Sequence, residues 1–215
     1  MACDLWIVPL VDTLVHHPEN PFAEELARYE RALARAGLPG VPVYLHNPPH
    51  SGDVEQLAGV DYQALHFLRR ARLLQLTGFE VTPVDELGGD YTQLLEMFED
   101  AARQSHLVWH FDHSGAYLPL DFDRPVDDEE LAADGGPLGS SQGLLRELYE
   151  VAPLIGVDAD EPPPPPRPLG PTEFEGPAER DPLNHGDYHQ ERAAWAALHR
   201  AAERSVGTGA MVVFA

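Results

Sequence analysis

The chain has 215 residues, with 36 acidic against 14 basic side chains and a formal net charge of −22. Every basic side chain other than histidine is arginine, so neither a Schiff-base lysine nor a phosphate-loop lysine is available. The hydrophobic content of 43% is enough for a core and argues against disorder of the whole chain, while the lone Cys3 excludes an internal disulfide framework or a cysteine-based zinc site.

Arginine-favouring codon usage and a solvated acidic surface are the simplest sources of the charge. In functional terms it repels nucleic acid and anionic membrane and suits a basic partner. The N-terminal MACDLWIVPLVD has no basic region ahead of its apolar run, and Asp4 interrupts that run. No apolar stretch approaches the ~20 residues of a membrane span. The expected location is the cytoplasm, as one domain over 1–215.

In chain order, Asp4 to Val11 reads as a short buried strand ending near Pro9. Asn20 and Pro21 read as an N-cap and first helical residue, with Phe22, Leu26, Tyr29 and Leu33 at helical spacing and Gly37 and Pro39 as the stop. Val41 to His46 reads as a strand and NPPHSGD as a loop. Asp61 caps a helix with Leu65, Leu68, Arg72 and Leu76 on one stripe, ended by Gly78. Phe79 to Val84 is a strand or an extended connection. Asp90 caps a helix with Leu94, Leu95, Phe98 and Ala102 inward.

His106 to Phe111 reads as a buried strand, paired as a hairpin with Tyr117 to Phe122 across a turn at Gly115. Asp127 to Asp134 is an acidic surface stretch. Ser140 or Ser141 caps a helix with Leu144, Leu145, Leu148, Val151 and Ala152. The proline-rich segment at about 157–181 reads as a polyproline-like surface connection. Asp187 to Ser205 is a last helix, ended by Gly207 and Gly209. Met211 to Phe214 is a short strand paired into a sheet. The expected class is α+β, with several amphipathic helices on a small mixed or antiparallel sheet.

The segment richest in chemistry is His106 to Phe122. On a strand, His110 and Asp112 share a face and could meet one ion, with His113 brought back by a turn; His185 and His189 are other candidates for a further ligand. In a catalytic reading His110 is the base, Asp112 its orienter and Tyr117 a donor, with Asp121 nearby. The competing reading is that a carboxylate beside a histidine fixes a turn or holds the ring. Gly139, Ser140 and Ser141 could present amides and hydroxyls to an anion, although ordinary helix capping explains them as well. No particular cofactor is implied.

Three blocks carry a resemblance: His106 to Phe122, the GSS-x-x-L-L-x-E-L stretch from Gly139 to Leu148, and S-x-x-T-G-A-x-V-V-F from Ser205 to Phe214. Together they resemble a family of uncharacterised bacterial proteins with the pattern H-x-x-x-H-S-D-x-x-G-x-Y-x-P-x-D-F, then G-S-S, then a C-terminal helix and T-G-A strand. The chain departs from it at Phe111, where the pattern has serine, and residues 1–60 have no counterpart in it. By analogy the resemblance implies an immunity or accessory protein.

Three functions are therefore in play. The first is an acidic module that binds a basic protein, with neither nucleic acid nor membrane as partner; its oligomeric state is left open. The second is an enzyme or ligand-binding protein with a site around His110 to Asp121. The third, ranked last because the acids are irregularly spaced along the chain, is a nucleic-acid mimic.

Overall fold

A computed structural model describes residues 2–10, 22–42, 54–84, 91–132, 136–159 and 187–214. The proposed caps at Asn20 and Asp90, the NPPHSGD loop and nearly all of the proline-rich connection lie outside those residues, as do His16, His17, His46, His50 and His185. The elements are β1 (Ala2–Val8), α1 (Ala23–Arg35), β2 (Glu55–Asp61), α2 (Tyr62–Leu76), α3 (Tyr91–Met97), α4 (Glu99–Ala102), β3 (Ala116–Leu118), α5 (Glu129–Ala132), β4 (Leu138–Ser140), α6 (Ser141–Val151), a 3-10 turn (Ala152–Ile155), α7 (His189–Thr208) and β5 (Met211–Phe214). The chain is α+β.

The five strands form one mixed sheet in the order β2-β1-β5-β3-β4. β1 runs antiparallel to both β2 and β5, β5 antiparallel to β3, and β3 parallel to β4. The C-terminal Met211–Phe214 run thus lies in the middle of the sheet, where a strand buried on both faces must be apolar throughout.

Strand alternation divides the core in two. Cys3, Leu5, Ile7, Tyr117, Val212 and Phe214 point to one face and pack on α2, α6 and α7. Val8, Ala116, Leu118, Leu138 and Met211 point to the other and pack with Leu26, Tyr29 and Leu33 of α1. Trp195 of α7 is fully buried, and its indole N–H donates to the Leu148 carbonyl at 2.8 Å, so the largest side chain of the core leaves no polar atom unsatisfied.

The helix ends follow local chemistry. Asp61 accepts from the amides of Gln63 and Ala64 and starts α2, while Ser140 accepts from the Gly143 amide and starts α6. α7 runs through Gly207 and stops at Gly209, whose φ of 70° is the left-handed conformation that glycine adopts freely.

One expectation needs correction, and two others are narrowed. Residues 106–110 are turns and bends rather than a strand, buried apart from half-buried Trp109, and Phe111 is exposed, so no hairpin joins them to β3. Glu147 takes the amides of His106 and Leu107, and the Trp109 amide turns back to the Ser105 carbonyl, which leaves no ladder for a neighbouring strand. β3 pairs instead with β4 and β5. Residues 79–84 form no strand, and of the stretch expected as a strand from Val41, the described residues 41 and 42 carry none. The strand β2, which the sequence reading did not assign, supplies the edge beside β1.

The central position of β5 gives a direct test. Val212→Asp places an unpaired charge among Leu5, Tyr117 and Phe214, and should abolish cooperative urea unfolding. Val206→Asp, on an exposed position of α7, should change stability by less than about 0.5 kcal/mol.

Candidate partner-binding surface

The His106 imidazole is 1% exposed and forms a junction between distant segments. Its Nδ1 accepts from the Ser140 amide at 3.1 Å, so the proton sits on Nε2, which donates to the Phe122 carbonyl at 3.0 Å. The Tyr117 hydroxyl donates to the His106 carbonyl at 2.8 Å. A Cβ on Gly143 would run into the His106 ring, and one on Gly139 into the Tyr117 ring. Ser141 and Ser205 join through their hydroxyls at 2.6 Å, and Ser205 also donates to the Ala210 carbonyl at 2.7 Å. The three sequence blocks are thus one interlocked structural unit. Gly139, Ser140 and Ser141 serve ring packing, helix capping and a buried hydroxyl pair, and none of them faces an open anion site.

Two buried charges brace the same turn. Glu147, 7% exposed, accepts from the Ser105 hydroxyl at 2.5 Å and from the amides of His106 and Leu107 at 2.7 and 2.9 Å. Burial pushes its carboxyl up; the hydrogen bond from Ser105 and the charge of Arg72, 3.8 Å away, oppose that shift. Arg69, 2% exposed, donates to the Leu107 carbonyl at 3.0 Å and pairs with Asp112. The other Asp112 oxygen meets His66 Nε2 at 2.6 Å. Burial raises the Asp112 pKa, but the His66 hydrogen bond and the Arg69 charge outweigh it and hold the group below the usual carboxylate range.

The proposed catalytic and metal residues therefore do not assemble as expected. His110 is stacked on Tyr117 with centroids 4.4 Å apart and lies against Phe214 at 4.6 Å; its Nδ1 meets the Phe111 carbonyl at 2.9 Å and its buried Nε2 has no partner. Burial, then the Arg69 charge, push it down to about 3. Tyr117 is buried and raised by that burial. Asp121 is exposed and pairs with Arg146 at 2.8 Å, and His113 is exposed. Among the described residues no three His, Cys, Asp or Glu side chains come together to hold a metal. Sequence reasoning missed Arg69, Glu147 and His66. The available signal was the placement of charged groups within leucine-rich helical stretches.

Among the described residues only Glu147 and Glu191 are buried acids, and apart from Asp112 in its Arg69–His66 bracket most of the other described carboxylates are at least partly exposed. Arginines draw acids from separate segments into one ridge. Arg103 holds Glu99 at 2.7 Å and Asp127 at 2.6 Å, and its guanidinium lies over the Trp109 ring at 4.2 Å. Arg35 holds Asp128 at 2.7 Å and Glu130 at 3.2 Å, and Arg31 holds Glu130 at 2.9 Å. Hydrogen bonds from Arg35 to Asp128 and from Arg31 to Glu130 lower both acids and keep them ionised. Asp100, Asp123 and Glu129 add exposed charge to the same segments.

This is an acidic α+β protein whose distinctive residues build the interior and most of whose described carboxylates are displayed outside. It belongs to the family described as "Putative DNA-mimic protein", whose model matches residues 1–214. That match includes residues 1–60, which the sequence pattern left without a counterpart, and it moves DNA mimicry from the last-ranked reading to the first. No curated protein and no solved structure matches the chain significantly. Irregular spacing of acids along the chain was a weak objection, because Glu99 of α4 and Asp127, from separate segments, are brought together on Arg103.

Two measurements check the bracing. Glu147→Gln should cost about 2–4 kcal/mol in urea unfolding, because an amide N–H₂ would replace an acceptor facing buried donors. His106 is likewise lowered by burial, to about 4. A histidine held neutral in the fold loses stability as pH falls below its unfolded value near 6.5. The raised Glu147 and Glu191 act in the opposite sense, so the effect of one histidine is read as a difference between proteins. From pH 7.5 to 5 the native protein should lose about 2 kcal/mol more than His110→Phe.

Proposed function

We propose that the protein binds the DNA-contacting surface of a basic protein and occupies it in place of DNA. The observation that carries this reading is membership of the DNA-mimic family along the chain, combined with carboxylates of α4 and the 121–130 segment displayed on a ridge to which α1 contributes Arg31 and Arg35. A surface that binds DNA is built to neutralise phosphates with arginine and lysine, and ionised carboxylates held outward can meet the same cations. The −22 charge would speed encounter with such a partner and oppose binding to nucleic acid itself.

The finer form of the proposal is an immunity or accessory role, in which a cytoplasmic partner is kept from its DNA until it is needed. The His110 to Asp121 enzyme reading has no comparable support, because His110, Asp112 and Tyr117 are engaged in packing and internal bonds.

The test is competition. A partner captured from the source cell on the immobilised protein should be released by double-stranded DNA, and its affinity should fall steeply with salt. A combined Asp100→Asn, Asp123→Asn, Glu129→Gln variant should bind about tenfold more weakly and with a shallower salt slope. A partner that binds the protein and DNA at the same time, each unaffected by the other, would refute mimicry.

A further inference from the structure

We infer that the partner also docks on an apolar patch where the end of α2 meets the α3–α4 junction, and that this patch gives binding a component that survives salt. The inference rests on the reading of the protein as the ligand of a basic protein. Phe79 is 56% exposed and Met97 is 64% exposed, the two largest exposures among the big apolar side chains of the described residues. The Phe79 ring touches that of Phe98, with centroids 5.7 Å apart, and Met97 precedes Phe98 in the chain. Phe79 and Phe98 therefore share one surface, Phe98 being half-buried with Leu94 and Leu95 against Leu73, Tyr91 and Val108, and exposed Met97 lies at its edge, one residue before Phe98.

Glu80, Glu96, Glu99 and Asp100 are exposed beside these side chains in sequence. Glu99 among them is offset by Arg103. An apolar centre among carboxylates defines its occupant by charge. A second copy of this chain would set acid against acid, whereas a protein surface with an apolar knob flanked by arginine or lysine satisfies both parts. Aromatic and methionine side chains at the centre of a patch carry a large share of binding energy, and methionine adapts to varied shapes. Carboxylates alone would yield a complex that dissolves as salt screens them. Through Glu99 and Arg103 the patch adjoins the acidic ridge at Asp127, so one partner can cover both.

The three methionines provide the reporter. With ¹³C-methyl methionine, the Met97 signal reads the patch and that of Met211, which is fully buried, is an internal control. The probes are a helical peptide with arginine on one face and leucine on the other, and an arginine-only peptide of equal charge. At ~0.5 M NaCl, where exposed charges beyond a few ångströms are screened, the amphipathic peptide should still shift Met97 and leave Met211 unmoved, and the arginine-only peptide should not. Phe79→Ser, and separately Met97→Gln read by fluorescence of a labelled peptide, should weaken the amphipathic peptide about tenfold with circular dichroism unchanged. Equal loss of both peptides in high salt would overturn the patch and leave the electrostatic reading standing. Failure of both peptides to bind at ~0.05 M NaCl would count against both.

Discussion

The neutral imidazole of His106 is the contact on which the rest of the arrangement depends. Its two nitrogens hold the start of α6 and the carbonyl of Phe122, and its ring fills the space left by Gly143. Its own carbonyl receives Tyr117, and its amide donates to Glu147. Protonating Nδ1 would turn an acceptor into a donor facing the Ser140 N–H, in a place where water cannot compensate. Burial depresses the pKa and guards against that change.

This junction explains why a pattern that looks catalytic is structural. Histidine, aspartate, tyrosine and serine are the residue types of active sites, and they are also the types that satisfy buried backbone groups. Here Tyr117 and His106 close a turn that has no ladder of its own, Ser140 caps α6, and the Ser141–Ser205–Ala210 chain ties that helix to the strand at the centre of the sheet. Asp112 has its ionised form stabilised by Arg69 and His66, and Arg69 holds the Leu107 carbonyl in turn. With these groups committed to the interior, the outward-facing carboxylates remain as the chemistry available to a partner.

Much of the fold was legible because local signals agreed with packing. Asp61 caps the helix it was expected to cap, Ser140 of the two candidate serines caps α6, and the four apolar residues at 211–214 lie in the sheet. The stretch from His106 to Phe111 was misread because Leu107 and Val108 are buried, as in a strand, while the amides of His106 and Leu107 go to a glutamate some 40 residues away, a long-range partner that periodicity cannot reveal. β2 was missed because Glu55–Asp61, with Gly59 inside it, has little β propensity and is held as a strand by pairing with β1. The acidic ridge was invisible for a related reason: its members come from separate segments and are brought together by partners such as Arg31, Arg35 and Arg103 that are distant in sequence from most of them.

The division between a structural interior and a binding exterior can be decided by partner affinity in two folded variants measured side by side, with competition by double-stranded DNA in each. Asp112→Asn keeps the shape of the side chain inside the Arg69–His66 bracket, and its affinity should match that of the native protein within about twofold, well inside the scatter of single contacts. Combined neutralisation of Glu96 and Asp100 should weaken binding. If folded Asp112→Asn lost the partner while the surface variant kept it, the functional site would lie at the half-buried His66–Asp112–Arg69 bracket, and a purely structural role for that bracket would be contradicted.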